Sequence, residues 1–157
     1  MARKGKNKEC VAIARDVIAQ VRAGQLVATP GIYCQFNSTL PVGDLQVNLK
    51  QNVCWVCGIG AAFISAIRLF DGHQLLEPRF SVLSYDIVHL LRTYFTPREV
   101  KRLEVYFEGF GDAMTFAKRH PDPARRLIVL MRSIIANHGH LRVGKLRVKQ
   151  RVRKSRQ

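Results

Sequence analysis

Residues 54–70 read CWVCGIGAAFISAIRLF, and within them Val56 to Ile67 is the longest apolar run of the chain. Asn52 can cap a helix at this point, so the stretch predicts a helix from about Cys54 to Phe70. The larger apolar residues share one side of that helix: Ile59, Phe63, Ala66, Ile67 and Phe70. Small residues let a second helix approach closely: Gly58, Gly60, Ala61 and Ala62. We therefore expect this helix at the centre of the fold.

The same apolar run bears on where the protein resides. Glycines and a serine interrupt it, and it is shorter than the roughly 18 to 20 apolar residues that cross a bilayer. The N-terminal residues are basic and lead into an amphipathic pattern rather than the apolar core of an export signal. Four cysteines without such a signal are typical of a reducing compartment. We expect a cytoplasmic protein with no membrane partner.

Apolar residues recur at helical spacing in other parts of the chain, between recognisable start and stop signals. The predicted helices are Lys8 to Ala23, Tyr85 to Tyr94, Pro97 to about Glu108, Asp112 to Arg119 and Pro123 to Ala136. The clearest start is Thr96-Pro97-Arg98-Glu99, with Thr96 as the N-cap residue and Glu99 at the third helical position. The pattern predicts a mainly α fold, a compact bundle of five or six helices.

Residues 25–53 differ from the rest of the chain because proline, glycine, asparagine and serine punctuate short apolar runs. The runs Gly31 to Phe36 and Leu45 to Leu49 predict a small irregular or β-hairpin insertion in the bundle. A chain of 157 residues is near the usual size of one domain. We expect a single helical domain over residues 9–141, between a basic N-terminal arm at residues 1–8 and a basic C-terminal tail at residues 142–157.

The formal net charge of +15 is concentrated at the two ends of the chain. Four basic residues precede Glu9, and residues 142–157 contain eight basic residues and no acid. The remaining residues are near balance, with 14 basic and 11 acidic side chains. Such ends can follow a phosphate backbone and release its counterions, which points to DNA or RNA as a partner. The candidate phosphate-binding residues are Arg3, Lys4, Lys6, Lys145, Arg147, Lys149, Arg151, Arg153 and Lys154.

Cys54-Trp55-Val56-Cys57 is the sharpest local motif, and its chemistry has two interpretations. At a helix start the helix dipole stabilises a thiolate and lowers its pKa, which would make the pair reactive. The alternative is a pair of small buried residues in a packing helix, and we favour it. A zinc ion needs four ligands, and this pair supplies only half a site, which distant residues such as Cys10, Cys34, His138 or His140 would have to complete. We expect no metal and no cofactor.

Two further groups of residues raise alternatives. Glu104, Glu108 and Asp112 are spaced by four, so a continuous helix would align their carboxylates for a hard cation or for neighbours such as Arg125 and Arg126. Aromatic residues near the irregular region offer surfaces on which bases can stack: Tyr33, Phe36 and Trp55.

Three segments carry a resemblance to a known class of protein: Cys54 to Ala61, Phe95 to Gly109, and Leu127 to Gly139. Together they resemble small uncharacterised proteins of phage and mobile-element type. The resemblance implies an accessory protein rather than a housekeeping enzyme, and it transfers no catalytic residue.

The sequence favours a non-catalytic, nucleic-acid-binding accessory protein whose basic arms contact phosphates. One alternative is a phage or mobile-element inhibitor or adaptor that binds a host protein or nucleoprotein. In that case the tail, where Leu146, Val148 and Val152 alternate with basic residues, would add a strand to its partner. The other alternative is a thiol-dependent or metal-dependent enzyme centred on Cys54 and Cys57.

Overall fold

The computed structural model describes residues 4–36, 53–70 and 84–143. Helices dominate this part of the chain, so the predicted mainly α class is confirmed. The elements are α1 (Lys4–Arg22), β1 (Leu26–Ala28), β2 (Cys34–Phe36), β3 (Cys54–Val56), α2 (Gly58–Leu69), α3 (Ser84–Leu91), α4 (Pro97–Glu108), a 3₁₀ turn (Gly111–Ala113), α5 (Met114–Arg119) and α6 (Pro123–Ala136). In the described ranges, none of the helices has the length and apolar character needed to cross a membrane.

Helix α1 begins at Lys4, four residues before the predicted start at Lys8. It therefore runs across the predicted boundary between an arm and the helical domain at residues 8 and 9. Lys6 and Lys8 are exposed on its first turns. At its other end the chain turns through Gly24, whose φ of +76° is a left-handed conformation that glycine adopts without a steric penalty.

The predicted β insertion is a small three-stranded sheet with the strand order β1-β3-β2. Strand β3 pairs in parallel with β1 and antiparallel with β2, so Trp55 lies between Val27 and Gln35. The predicted run Gly31 to Phe36 contains β2, while the run Leu45 to Leu49 lies outside the described residues. Strand β1 was not predicted from the sequence.

The prediction that Cys54 begins a helix is wrong, because residues 54–56 form strand β3. Cys54 and Val56 are buried and Trp55 is partly exposed, which is the alternation of a strand. Backbone pairing continues beyond the strand, since the Thr29 amide donates to the Val56 carbonyl oxygen at 2.7 Å. The helix begins instead at Gly58, with Cys57 as its N-cap residue.

Helix α2 is the centre of the fold, as predicted, and every residue from Gly58 to Ile67 is buried. It contacts α1, α3, α4 and the sheet. A Cβ atom at Gly58 would lie 2.9 Å from the Cβ of Phe107 on α4, so this glycine allows the close helix approach that was predicted. At Gly60 the close neighbour is the Tyr33 carbonyl oxygen, which belongs to the loop before β2 rather than to a helix.

The ends of α4 and α6 follow their sequence signals. Thr96 and Glu99 form a reciprocal capping box at the start of α4, and Gly109 ends that helix in a left-handed conformation. The Asp122 side chain accepts a hydrogen bond from the Arg125 amide at the start of α6. Helix α6 then packs along α1, which is the most extensive contact between two helices in the described residues.

Candidate nucleic-acid interface

The start of α1 and the end of α6 meet at one place on the surface. A Cβ atom added to Gly139 would lie 2.8 Å from the carbonyl oxygen of Asn7 and 2.9 Å from its Cα atom. Gly139 also has a φ of +99°, which disfavours any residue with a side chain. The two backbones are therefore in direct contact, and only glycine fits at position 139.

The turn that brings Gly139 to this position ends α6. The Gly139 amide donates to the Ile134 carbonyl oxygen at 2.8 Å, and the Asn137 side chain donates to the Ser133 carbonyl oxygen at 2.7 Å. His138 has a φ of 54°, a left-handed conformation that is uncommon for a residue other than glycine. These bonds satisfy carbonyl groups of the last turn and redirect the chain towards the start of α1.

The chain beyond the turn is fixed to the domain as far as Arg142. Leu141 is buried, and its amide donates to the Glu99 Oε2 atom at 3.4 Å. The same oxygen lies 3.6 Å from the Nδ1 atom of His140. The Arg142 amide donates to the Ser133 hydroxyl at 3.2 Å. The basic sequence that follows residue 143 therefore starts from a defined point on the surface.

We call the surface formed by Lys6, Lys8, His138, His140 and Arg142 the basic pole. Lys6 and Lys8 flank Asn7 and are exposed, as are His138 and Arg142. Of the phosphate-binding residues predicted from the sequence, Lys6 lies in this surface and Lys4 lies in the first turn of α1. The others lie outside the described residues: Arg3, Lys145, Arg147, Lys149, Arg151, Arg153 and Lys154.

The cysteine motif is divided between strand β3 and the start of α2. The Sγ atom of Cys54 lies 3.2 Å from that of Cys34 on the neighbouring strand, and both side chains are buried. The hydrogen bond with Cys54 and burial together raise the pKa of the Cys34 thiol well above its usual value. From the sequence, Cys34 was one of several possible partners of the motif in a zinc site; its pairing with Cys54 across β2 and β3 depends on the fold.

Cys57 occupies the helix start at which the less favoured interpretation required a lowered pKa, and the pKa of this thiol is shifted in the opposite direction. Its sulfur accepts a weak hydrogen bond from the Gly60 amide at 3.5 Å. Burial nevertheless dominates and raises the pKa of Cys57 to about 11, with a smaller contribution from the nearby charge of Glu108. The thiol is therefore protonated at neutral pH, which favours the structural interpretation of this cysteine.

Of the candidate metal ligands, Cys34 lies against Cys54, whereas the Cys10 thiol donates to the Tyr94 carbonyl oxygen. Cys54 and Cys57 belong to the buried sheet and the start of α2, while His138 and His140 lie at the end of α6. Across residues 4–36, 53–70 and 84–143, no three His, Cys, Asp or Glu side chains are grouped so that they could hold a metal ion.

The acidic side chains of α4 hold the loop between β1 and β2. The Gly31 amide lies 3.0 Å from both carboxylate oxygens of Glu108, and the Tyr33 hydroxyl lies 3.4 Å from Glu104. Asp112 lies beyond the end of α4, in the 3₁₀ turn, so the predicted row of three carboxylates is broken. Of the proposed stacking residues, Phe36 is buried and has no surface to offer, while Tyr33 is 37% exposed.

Arg126 does not neutralise the acidic row, as the sequence had suggested, because it is buried and faces other groups. Its guanidinium donates to the carbonyl oxygens of Phe107, His120 and Pro121. It therefore joins the end of α4 to the chain between α5 and α6.

A cavity of about 440 Å³ lies beside this junction, between α5 and α6, and it was also missed from the sequence. Its lining includes Phe116, Arg119 and Arg132. The cavity depends on how α5 docks against α6, which the sequence pattern does not reveal.

Comparison with known proteins adds no information about this surface. No protein-family model, curated protein or solved structure matches the chain, so the resemblance to phage and mobile-element proteins stays a prediction.

Proposed function

We propose that this protein is a non-catalytic, nucleic-acid-binding protein that holds DNA or RNA at the basic pole. The observation that carries the proposal is the contact between Asn7 and Gly139, which places the basic start of α1 beside the point from which the C-terminal sequence leaves the domain. Basic residues from near the two ends of the sequence, Lys6 and Lys8 on one side and Arg142 on the other, thereby lie in one region of the surface.

The distribution of charge supports this proposal. Residues 142–157 contain eight basic residues and no acid, so the pole and the sequence that leaves it combine charges of one sign. Glu99, which contacts His140 and the Leu141 amide just before this segment, is also engaged with Thr96 in the capping box. A surface of this kind binds phosphates by releasing counterions, with little dependence on base sequence.

The proposal is tested by removing residues 144–157 and titrating the shortened and full-length proteins with DNA and RNA at several salt concentrations. We expect weaker binding and a shallower dependence of log affinity on log salt, because each lost phosphate contact lowers the slope by about 0.9. The thermal midpoint should stay nearly unchanged, since the described core ends at Leu141. Equal affinity and equal salt dependence for both proteins would contradict the proposal.

The contribution of α1 is tested with the double variant Lys6→Gln/Lys8→Gln. Its matched control is Arg15→Gln/Arg22→Gln. These two substitutions are also at exposed positions of α1 and remove the same amount of positive charge. Arg22 lies about 24 Å from Lys6 at 1.5 Å per residue. We expect the lysine variant to bind more weakly than the control, and equal losses would indicate that net charge alone matters.

A second candidate function, an adaptor that binds a host protein or nucleoprotein, is favoured by exposed apolar side chains. Phe110 is 60% exposed and Met114 is 50% exposed, on either side of the 3₁₀ turn. If these side chains bind a protein, the protein without residues 144–157 should still form a complex with its partner that resists nuclease treatment. The double variant Phe110→Ser/Met114→Ser should abolish that complex. Loss of the complex on removal of residues 144–157 alone would instead assign binding to the tail.

A further inference from the structure

The cavity between α5 and α6 combines an apolar lining with a positive rim. Phe116 contributes from α5 and His120 from just after it, Val129 and Ala136 contribute from α6, and Val143 from the chain that follows the α6 turn. Its volume of about 440 Å³ falls in the range of small-molecule sites in proteins, roughly 300 to 1,000 Å³. The cavity is therefore large enough for a flat ring system.

The aromatic side of the cavity is held in place by its neighbours. The Phe116 ring centroid lies 4.8 Å from that of His120 and 5.4 Å from that of Tyr106, which meets it edge-on. The buried guanidinium of Arg126 donates to the His120 carbonyl oxygen at 2.8 Å and so fixes the end of α5. A preorganised aromatic surface of this kind can stack on a nucleobase without preference for its identity.

The charged part of the lining selects an anion. Arg119 and Arg132 are exposed, and neither takes part in an ion pair within the described ranges. No acidic residue is found among the described residues that line the cavity. Arginine is well suited to phosphate because its planar guanidinium presents several donors at once. The occupant that fits both features has a flat apolar part and a negative part.

The position of the cavity connects it to the basic tail. Val143 lines the cavity, and Lys145 follows it by two residues in the sequence. A polyanion held by the tail would thus pass close to the cavity. In a duplex the bases are paired and stacked inside the helix, whereas those of a single strand are free to enter a protein site.

We propose that this cavity accepts one base of a single-stranded nucleic acid while Arg119 and Arg132 bind the adjacent phosphates. This inference rests on the proposed function and goes further, because it makes single strands the preferred partner. The cavity adds a stacking contact to an electrostatic surface that by itself binds single strands and duplexes alike.

The test uses the full-length protein and fluorescence anisotropy with a labelled single-stranded 12-mer and the blunt duplex of the same sequence. Ala136→Trp fills the cavity at an exposed position without changing the charge. We expect single-strand affinity to fall by about tenfold, as for loss of a stacked base, with duplex affinity and both salt slopes unchanged. A circular dichroism melt establishes that the variant is folded.

Arg119→Gln and Arg132→Gln keep the inference testable should the tryptophan variant fail to fold. Each should weaken single-strand binding and lower its salt slope by about 0.7, the value for one phosphate contact on a single strand, with Arg22→Gln as the charge-matched control. The cavity inference would be overturned if Ala136→Trp bound single strands like the wild type and both arginine variants bound them like Arg22→Gln. That result would leave the proposed function intact. Wild-type protein that binds neither nucleic acid would overturn both. Stabilisation of the wild-type protein by oleate but not by the 12-mer would assign the cavity to a lipid and also overturn the inference.

Discussion

The guanidinium of Arg126 donates a hydrogen bond to the main-chain carbonyl oxygen of Phe107 and lies 5.8 Å from the centroid of the Phe107 ring. This cation is buried, and its partners among the described residues are main-chain carbonyl groups at the end of α4 and beyond α5. This relationship fixes α4, α5 and the start of α6 with respect to one another.

Replacing Arg126 with methionine should destabilise the protein by about 3 kcal/mol, because the buried Phe107 carbonyl and two partly buried carbonyl groups lose a charged donor. Urea denaturation of Arg126→Met, compared with Arg125→Met, measures the effect. Arg125 is the exposed neighbour and should tolerate the change. Similar unfolding free energies for the two variants would contradict this role of Arg126.

Alanine at position 60 should destabilise the protein although alanine is the better helix former. A Cβ atom at Gly60 would lie 1.6 Å from the Tyr33 carbonyl oxygen, and main chain cannot be displaced as easily as a flexible side chain. We expect a loss of about 3 kcal/mol or more, at the upper end of overpacking effects. Gly24→Ala is the comparison, because Gly24 has open space around its Cα atom and loses only its favourable backbone geometry. A higher thermal midpoint for Gly60→Ala than for Gly24→Ala would contradict this prediction.

Stability should fall as the pH rises from about 9 to about 11. The ordinary pKa of the Cys57 thiol is 9.0 and its folded value is about 11, so the unfolded chain releases this proton first. The contribution of Cys57 is therefore complete below pH 9 and is lost through this window, by about 3 kcal/mol in total. Denaturation of wild type and Cys57→Ala at pH 8 and pH 11 isolates the effect, since other groups titrate in both proteins. Parallel pH dependence in the two proteins would contradict the raised pKa.

The native protein should react slowly with Ellman's reagent. All four cysteines are buried, and burial raises the pKa of Cys57, so little accessible thiolate forms at pH 8. Addition of guanidinium should make the four thiols react rapidly. A fast phase in the native protein that disappears in Cys54→Ser/Cys57→Ser would revive the hypothesis of a thiol-dependent enzyme.

Glu99 should stabilise both the start of α4 and the attachment of the C-terminal segment. One carboxylate oxygen contacts Thr96, and the other accepts a hydrogen bond from the Leu141 amide. Glu99→Ala should cost about 1 to 2 kcal/mol and speed hydrogen exchange at residues 140–142. Thr96→Ala removes a cap contact and retains the contact with Leu141, so exchange there should change less. Equal hydrogen-exchange rates at residues 140–142 in the two variants would show that Glu99 does not hold the C-terminal segment.

Much of the helical framework could be predicted because its signals are local. Thr96 and Pro97 mark the start of α4, and Asp122 and Pro123 mark that of α6, since caps and proline act within one turn. Strand β3 was missed because three residues are too few to establish an alternating pattern. The neighbouring Asn52 also offered a helix cap, and the pairing of Trp55 with Val27 is visible only in the folded chain.

The positive charge of the candidate site could be predicted from the sequence, whereas the arrangement of its residues in space could not. The excess of lysine and arginine is a property of composition, so the positive ends were evident from the sequence. Their meeting at Asn7 and Gly139 depends on the packing of α6 along α1, between residues 132 positions apart. The cavity beside Phe116 likewise depends on tertiary packing.

The contact between Asn7 and Gly139 also has a mechanical consequence. A force that pulls the chain apart at Lys4 and Val143 acts on one end of the paired helices α1 and α6, so it would separate them turn by turn. Such unzipping loads a few contacts at a time, whereas shearing would load the whole helix pair at once. This geometry makes the domain easy to open from the side at which we propose it holds its ligand.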